Sequence, residues 1–365
     1  MNYKWHNKSQ NEWLRYILSI HFHQEEGAPY WLNIQRKLGI DVQKEIECID
    51  DLLLLGPMDE TALAKYPIEE FIPRILLKNK SQIITAESGG TTGTVKHTAY
   101  SLSEFREAFS EFFYITAVQR NFPGHLNWLF AAPSGPHIIH RSAMEMAARF
   151  GTMTPFAIDF DPRWIKKFSP NSMPFKRYKS HIIEQCLRIL STQEIGVLFT
   201  TPDIALSIAE ELSPSQRNKI RGIHLGGMPL MPDIYEKITS LYSSAVIIPG
   251  YGNTLFGLTL EISPPDRNFN VVYYPPGPRI IIKIIKLSKN NGPAKLQEVE
   301  YGERGRVMIH RLDETLFLPN LIERDEAERA LPLKVSTWDI GSQDGIKNPK
   351  TSPELKEATL REGLY

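Results

Sequence analysis

The densest chemistry in the sequence is Glu87-Ser88-Gly89-Gly90-Thr91-Thr92-Gly93-Thr94-Val95-Lys96. Three glycines let successive backbone N–H groups converge on an anion. Serine and threonine hydroxyls donate further hydrogen bonds, and Lys96 adds a full positive charge. Such a loop is a phosphate cradle. Small polar residues and glycine also build ordinary surface turns, but so many threonines and glycines together with a lysine favour phosphate. Two residues, Thr94 and Val95, separate Gly93 from Lys96, so the loop is not a Walker A motif. Its glycine spacing also differs from the dinucleotide fingerprint.

Further along, His224-Leu225-Gly226-Gly227-Met228-Pro229-Leu230 and Gly250-Tyr251-Gly252-Asn253-Thr254-Leu255-Phe256-Gly257 each follow a short apolar run. Taken alone, Tyr-Gly-Asn-Thr reads equally as a hairpin turn or a site. His137-x-x-His140 is half of a metal site, but no cysteine or acidic cluster stands nearby, so no metal ligands are assigned. Two aspartates, Asp325 and Asp339, stand late in the chain. A carboxylate there could accept two hydrogen bonds from a vicinal diol, although a lone acidic residue is most often a solvated surface charge.

The elements that position these residues follow from periodicity. Apolar residues at 13, 14, 17, 18 and 20 predict a helix over 13–22, and a second helix is predicted over 41–55, stopped by Gly56-Pro57. Ile83-Ile84 reads as the strand before the loop, and Ser101 with Glu104 as a capping box opening an aromatic helix. Strands are predicted over 126–132, 195–200, 220–225 and 245–248, with helices over 141–150, 181–190 and 202–212 between them. This alternation implies a parallel sheet covered by helices, with ligands at the carboxyl ends of its strands. After about residue 261 the loops fill with proline, and runs over 279–287 and 306–312 read as β-rich structure. The expected organisation is a helical segment over 1–80, α/β subdomains over 81–260, a β-rich part over 261–335, and a polar tail or short closing helix over 336–365.

The 365 residues carry 42 Lys+Arg against 42 Asp+Glu. Such a balance does not supply the positive surplus that phosphate-backbone binding needs, so no nucleic-acid partner is expected. No apolar run approaches the roughly 18 residues of a membrane span, and the N-terminus lacks the apolar stretch of a signal peptide. A cytoplasmic location is expected, with Cys48 and Cys186 read as reduced thiols.

The loop over 88–96 resembles the Ser/Thr/Gly-rich loop of the adenylate-forming superfamily, which includes acyl-CoA synthetases, peptide-synthetase adenylation domains and luciferases. Gly89 and Val95 depart from its pattern, standing where the family has a hydroxyl residue and a proline. The segment over 224–230 is similar to the family's strand-to-loop stretch beside adenine. That over 250–257 is similar to its Tyr-Gly-x-Thr-Glu motif, and 319–325 to its ribose-binding stretch. The likeness covers most of residues 80–330 and is nearest to the short phenylacetate-CoA-ligase-like branch and the acyl-adenylating proteins of phenazine antibiotic biosynthesis.

The resemblance implies an α/β fold, the large N-terminal domain of adenylate-forming enzymes, with two helix-flanked sheets and a smaller distorted β-barrel. It assigns Thr91, Thr92 and Lys96 to catalysis. Ser88, Gly89, Gly90, Thr91, Thr92, Gly93, Lys96, Gly226, Gly227, Met228, Tyr251, Gly252, Asn253, Thr254 and Asp325 (with Asp339 as competitor) would hold ATP or AMP. Gly135, His137, His140, Gly250 and Tyr251 would receive the acid.

Two departures matter. Leu255 replaces a glutamate that helps place Mg2+, and leucine offers no oxygen to a hard cation. Phosphates, Thr254 and water would then hold the metal, or Glu261 would reach it. Asp325 also lies only 40 residues from the end of the 365-residue sequence, so the family's mobile C-terminal lid is expected to be absent. The implied activity is ATP-dependent adenylation of an aromatic or heteroaromatic carboxylic acid, a phenazine carboxylate being the sharpest choice. The acyl-AMP would pass to a partner such as a reductase. An acyl-protein synthetase that uses a thiol acceptor and a non-catalytic binding protein are the alternatives.

Overall fold

The computed structural model describes residues 3–88, 94–170, 172–286, 297–333 and 342–352. In chain order the strands are β1 (Ile83–Glu87), β2 (His97–Ser101), β3 (Asn127–Ala131), β4 (Phe156–Ala157), β5 (Ile195–Thr200), β6 (Gly222–Leu225) and β7 (Val246–Asn253). There follow β8 (Gly257–Glu261), β9 (Val272–Tyr274), β10 (Ile280–Lys286), β11 (Gln297–Glu298), β12 (Arg304–Leu312), β13 (Phe317–Ala330) and β14 (Gly345–Thr351). Two compact units interleave along the chain. One takes the described residues of 1–86, 94–105 and 274–352; the other takes Glu87, Ser88 and those of 106–273. The helical segment, the strand after the phosphate loop and the β-rich part thus share one unit.

In that first unit β11, β10, β12, β13 and β14 form an antiparallel sheet in this order. The helix Gln10–His21 starts at a capping box, with Ser9 Oγ accepting from the Glu12 N–H and Glu12 accepting from the Ser9 N–H. It buries Trp13, Leu14, Ile17, Leu18 and His21. Indole N–H groups fasten the helices to the sheet: Trp13 donates to the Leu312 carbonyl at 2.9 Å and Trp31 to the Phe317 carbonyl at 3.0 Å. The helix predicted over 41–55 is instead two pieces, Val42–Glu45 and a 3-10 turn Ile49–Leu55. The Asp51 carboxylate accepts from the N–H groups of Glu47 and Cys48, which starts the second piece afresh. Nor are residues 345–351 a helix: they pair as β14 with β13, Asp325 opposite Thr351.

At the centre of this unit four charged side chains are buried together: Arg279, Arg311, Asp313 and Glu104. Arg279 holds Asp313 with two hydrogen bonds, 2.8 and 2.6 Å, and Arg311 Nε donates to the same carboxylate at 2.6 Å. The other Arg311 nitrogens reach Thr98 Oγ1 and the Ala99 carbonyl on β2, at 2.9 and 2.7 Å. Glu104 accepts from the Thr315 and Ser101 N–H groups, 3.0 Å each. Burial pushes the Asp313 pKa up, and the two guanidinium groups outweigh it, holding the carboxyl below its usual range.

The second unit carries the parallel sheet β4-β3-β5-β6-β7, with β8 antiparallel to β7. Helices Ile138–Arg149, Met173–Thr192, Pro202–Glu211 and Pro232–Leu241 make the crossovers. β5 and β6 are buried at every residue, as strands covered on both faces must be. Phe109, Phe112 and Phe113 are buried in this unit, with a π-helical turn over Glu107–Glu111, while Phe105 is buried in the first.

Replacing Asp313 by asparagine keeps the shape and removes the counter-charge of two buried guanidinium groups. Urea unfolding is expected to show a loss of about 3–5 kcal/mol; a loss below about 1 kcal/mol would contradict the central role given to this carboxylate.

Candidate functional site

The registers of the parallel sheet decide where the sequence-read residues go. Ala131 pairs with Thr200, Thr200 with Leu225, and Leu225 with Pro249, a single row across four strands. Everything just beyond that row lies at the carboxyl edge: Gly135, His137 and His140 after β3, Gly226, Gly227 and Met228 after β6, and Gly250 to Thr254 at the end of β7. Glu87, which opens the segment read in the sequence as a phosphate cradle, joins the same edge, because its N–H donates to the Pro136 carbonyl at 3.2 Å. Ligand crevices of open α/β sheets form at this edge.

Each segment has a local reason for its shape. β7 and β8 form a hairpin in which Asn253 pairs with Gly257 and Gly250 with Leu260. Asn253 Oδ1 accepts from the N–H groups of Leu255 and Phe256, at 2.9 and 3.3 Å, so this side chain shapes the turn. A Cβ at Gly252 would strike the Gly257 carbonyl oxygen. Tyr251 is half-buried, its ring 6.0 Å from Phe256 and 5.9 Å from Tyr273. Gly226 is buried, and Gly227 has φ +79, which glycine adopts without strain. His224, just before them, is a core residue: its Nδ1–H donates to the Ile248 carbonyl at 2.7 Å, and burial pushes its pKa down to about 4.

His137 is buried at the start of its helix, and His140 lies against Phe130, ring centroids 5.1 Å apart. Burial lowers the pKa of both, and Arg163 lowers that of His137 further. Both rings are therefore neutral near pH 7, each with one nitrogen that donates and one that accepts. Among the described residues no three His, Cys, Asp or Glu side chains are placed to hold a metal ion.

The structure adds Arg163. Its Nη2 donates to Glu87 at 2.6 Å and to the Ser88 carbonyl at 3.3 Å, placing a cation beside these two residues. Asp161-Pro162 announces the helix start that carries it: Asp161 Oδ1 accepts from the Arg163 and Trp164 N–H groups. No sequence signal announced its pairing with Glu87. In the other unit Lys96 is part-buried and ion-paired with Glu60, and Asp325 accepts from Thr351 Oγ1 at 3.2 Å. Gly89, Gly90, Thr91, Thr92, Gly93 and Asp339 lie outside the described residues.

For the two residues weighed as metal neighbours the outcome is clear. Leu255 is buried at 4% exposure, packed as an apolar side chain. Glu261 ends β8, one residue beyond the Gly250–Leu260 pair and so level with Pro249. Its carboxylate is already taken by Arg120 at 3.3 Å and by the Tyr235 hydroxyl at 2.9 Å.

No protein-family model and no curated protein matches the chain. Solved structures do. The 2-hydroxyisobutyryl-CoA ligase in its postadenylation state superposes with a TM-score of 0.63 at 14% identity, over 94% of this chain and 66% of that one. In its thioesterification state, with 2-HIB-AMP and CoA, the figures are 0.61, 16%, 94% and 67%. The open conformation gives 0.61, 14%, 89% and 65%. The fold is that of the large N-terminal domain of adenylate-forming enzymes. The chain spans about two thirds of the length of these ligase chains, and at such identities the likeness is one of fold.

Glu261 yields a test that does not depend on function. Burial raises its pKa from 4.5 to about 7 against the opposing pull of Arg120. The folded state therefore binds the proton more tightly than the unfolded state. This contribution to stability is full below pH 4.5 and disappears as pH rises through about 7. Glu261→Gln should flatten the pH dependence of urea midpoints across that window, while an unchanged slope would refute the assignment.

Proposed function

We propose that this chain activates a carboxylic acid by adenylation. A carboxylate oxygen of the acid attacks the α-phosphorus of ATP, the acyl–O–P bond forms, and the bond to the leaving pyrophosphate breaks. The observation that carries this reading is the gathering of the adenine-side, acid-side and loop-entry segments at one carboxyl edge, in a fold shared with a ligase solved with an acyl-AMP. The barrier to such a transfer falls through alignment and through neutralisation of phosphate charge. Thr91, Thr92, the loop amides and Lys96 are the proposed agents at the pyrophosphate end. Arg163 is proposed to keep the loop entry in place. Gly226, Gly227, Met228, Tyr251 and Thr254 are the proposed nucleotide contacts, with Ser88, Gly89, Gly90 and Gly93 in the loop, and Asp325 or Asp339 on the ribose.

Neutral His137 and His140 suit donation to a carboxylate without a fixed charge, and the rings of Phe130 and Tyr251 suit an aromatic body. An aromatic or heteroaromatic acid is therefore the proposed substrate, with a phenazine carboxylate at its narrowest. Neither Leu255 nor Glu261 fits a magnesium ligand, so no step is routed through a protein-held metal; Mg2+ would accompany ATP. The acyl-AMP is proposed to go to a partner, a reductase or an acyl acceptor. Transfer to the chain's own Cys186 is disfavoured, since that thiol is buried and its pKa is pushed up to about 12. One observation favours a second reading, nucleotide binding without turnover: the Lys96 ammonium already has a carboxylate partner in Glu60.

ATP–pyrophosphate exchange with a panel of benzoates, phenazine carboxylates, phenylacetate and fatty acids tests the proposal. Exchange that depends on an aromatic acid and falls on the order of 100- to 1,000-fold in Lys96→Ala or Thr92→Ala supports it. ATP binding without exchange for any acid selects the second reading, and absence of ATP binding overturns both. Comparing Asp325→Ala with Asp339→Ala identifies the ribose ligand by which one raises the KM for ATP. If Glu60 competes with phosphate for Lys96, Glu60→Gln should tighten ATP binding by up to about fivefold, the range of a partly exposed ion pair; weaker binding would show that the pair instead positions the lysine.

A further inference from the structure

A cavity of about 240 Å³ lies in the first unit, where the 3-10 turn Ile49–Leu55 crosses β10 and β12. Its buried end is formed by Ile49, Ile285, Met308 and His310, and its open end by Asp50, Lys283 and Glu298. Lys283 pairs with Asp50 and Glu298, and Glu298 pairs in turn with Arg329. The volume is about eight times the share of one water in the liquid.

His310 is the unusual member. It is 1% exposed, and its Nδ1 accepts the Asn320 N–H at 3.1 Å. The ring proton must then sit on Nε2, and that buried N–H has no hydrogen-bond partner. A buried donor left unsatisfied is costly, and native structures rarely leave one without a partner. β12 and β10 face the turn with Met308 opposite Lys283 and His310 opposite Ile281, so the imidazole and the aliphatic side chains share one hollow.

We infer that this hollow is a binding site for a small uncharged molecule with an apolar body and one acceptor oxygen, which takes the His310 Nε2–H. Charge on the ligand is excluded by the mouth, where the Lys283 ammonium already pairs with the Asp50 and Glu298 carboxylates. A ligand of either sign would have to break a pair on entering. The site lies in the antiparallel unit, is independent of the proposed adenylation, and needs no nucleotide.

The test is methyl NMR on the full chain labelled at Met and Ile methyl groups, following Met308, Ile49 and Ile285. Acetophenone, which offers an aromatic body and a carbonyl, is expected to shift these signals with a dissociation constant on the order of 1 mM or below. Toluene, lacking the acceptor, should bind about tenfold more weakly, and benzoate should leave the signals in place. Leu53→Trp, which fills the hollow from its partly exposed side, should abolish the shifts. His310→Gln, whose amide can still accept from Asn320 and donate into the cavity, should retain the preference for acetophenone. Saturation by benzoate, equal affinity for toluene and acetophenone, shifts that survive Leu53→Trp, or no shift at any probe concentration would each overturn the inference.

Discussion

Asp313 is the carboxylate on which the first unit turns. Two guanidinium groups, from Arg279 before β10 and Arg311 at the end of β12, converge on it out of contact with water. Such a pair repays its desolvation only when every remaining donor and acceptor finds a partner. Here the spare Arg311 nitrogens are spent on Thr98 and the Ala99 carbonyl, and Tyr100 lies 3.7 Å beneath the guanidinium, whereas Arg279 Nη1 is left without a hydrogen-bond partner. Glu104 supplies the second negative charge and holds Thr315 and Ser101. The cluster thereby fixes β2, the strand that leaves the phosphate loop, to the turn between β12 and β13.

On the proposed reading of residues 88–96 as a phosphate cradle, that anchoring would bear on function through geometry. A phosphate cradle works only if its amides and hydroxyls are held where charge develops, since preorganised donors do not have to reorganise during the reaction. On its downstream side the loop leads into a strand bolted to a buried ion cluster. On its upstream side Glu87 is tied to Arg163 and to the Pro136 carbonyl, in the unit that holds the parallel sheet. Within their own units, Glu87 is ion-paired with Arg163 and Lys96 with Glu60.

The parallel sheet contributes by register. Since Ala131, Thr200, Leu225 and Pro249 form one row, segments more than a hundred residues apart in the chain end at one edge. Glu261 comes level with Pro249 in that row, and its carboxylate is occupied there by Arg120 and Tyr235. It is these two partners, not distance, that engage the carboxylate weighed as a metal neighbour.

Most local elements and their order were legible in the amino-acid sequence, the helix over 41–55 and the strand 345–351 excepted. The aromatic run from Phe105 and Ser101 with Glu104 as a cap are short-range signals, and the strand over 195–200 falls where its apolar run lies. The sequence also marked the glycines, because a position such as Gly227, at φ +79, or Gly252, pressed against a carbonyl, tolerates nothing else without strain. What tertiary structure alone decided is pairing across distance. That Arg163 meets Glu87, Lys96 meets Glu60, Arg120 meets Glu261 and residues 345–351 join β13 as a strand has no trace in local spacing. Periodicity reports which face of an element is buried, whereas the partner of a buried charge depends on which elements the completed fold brings together.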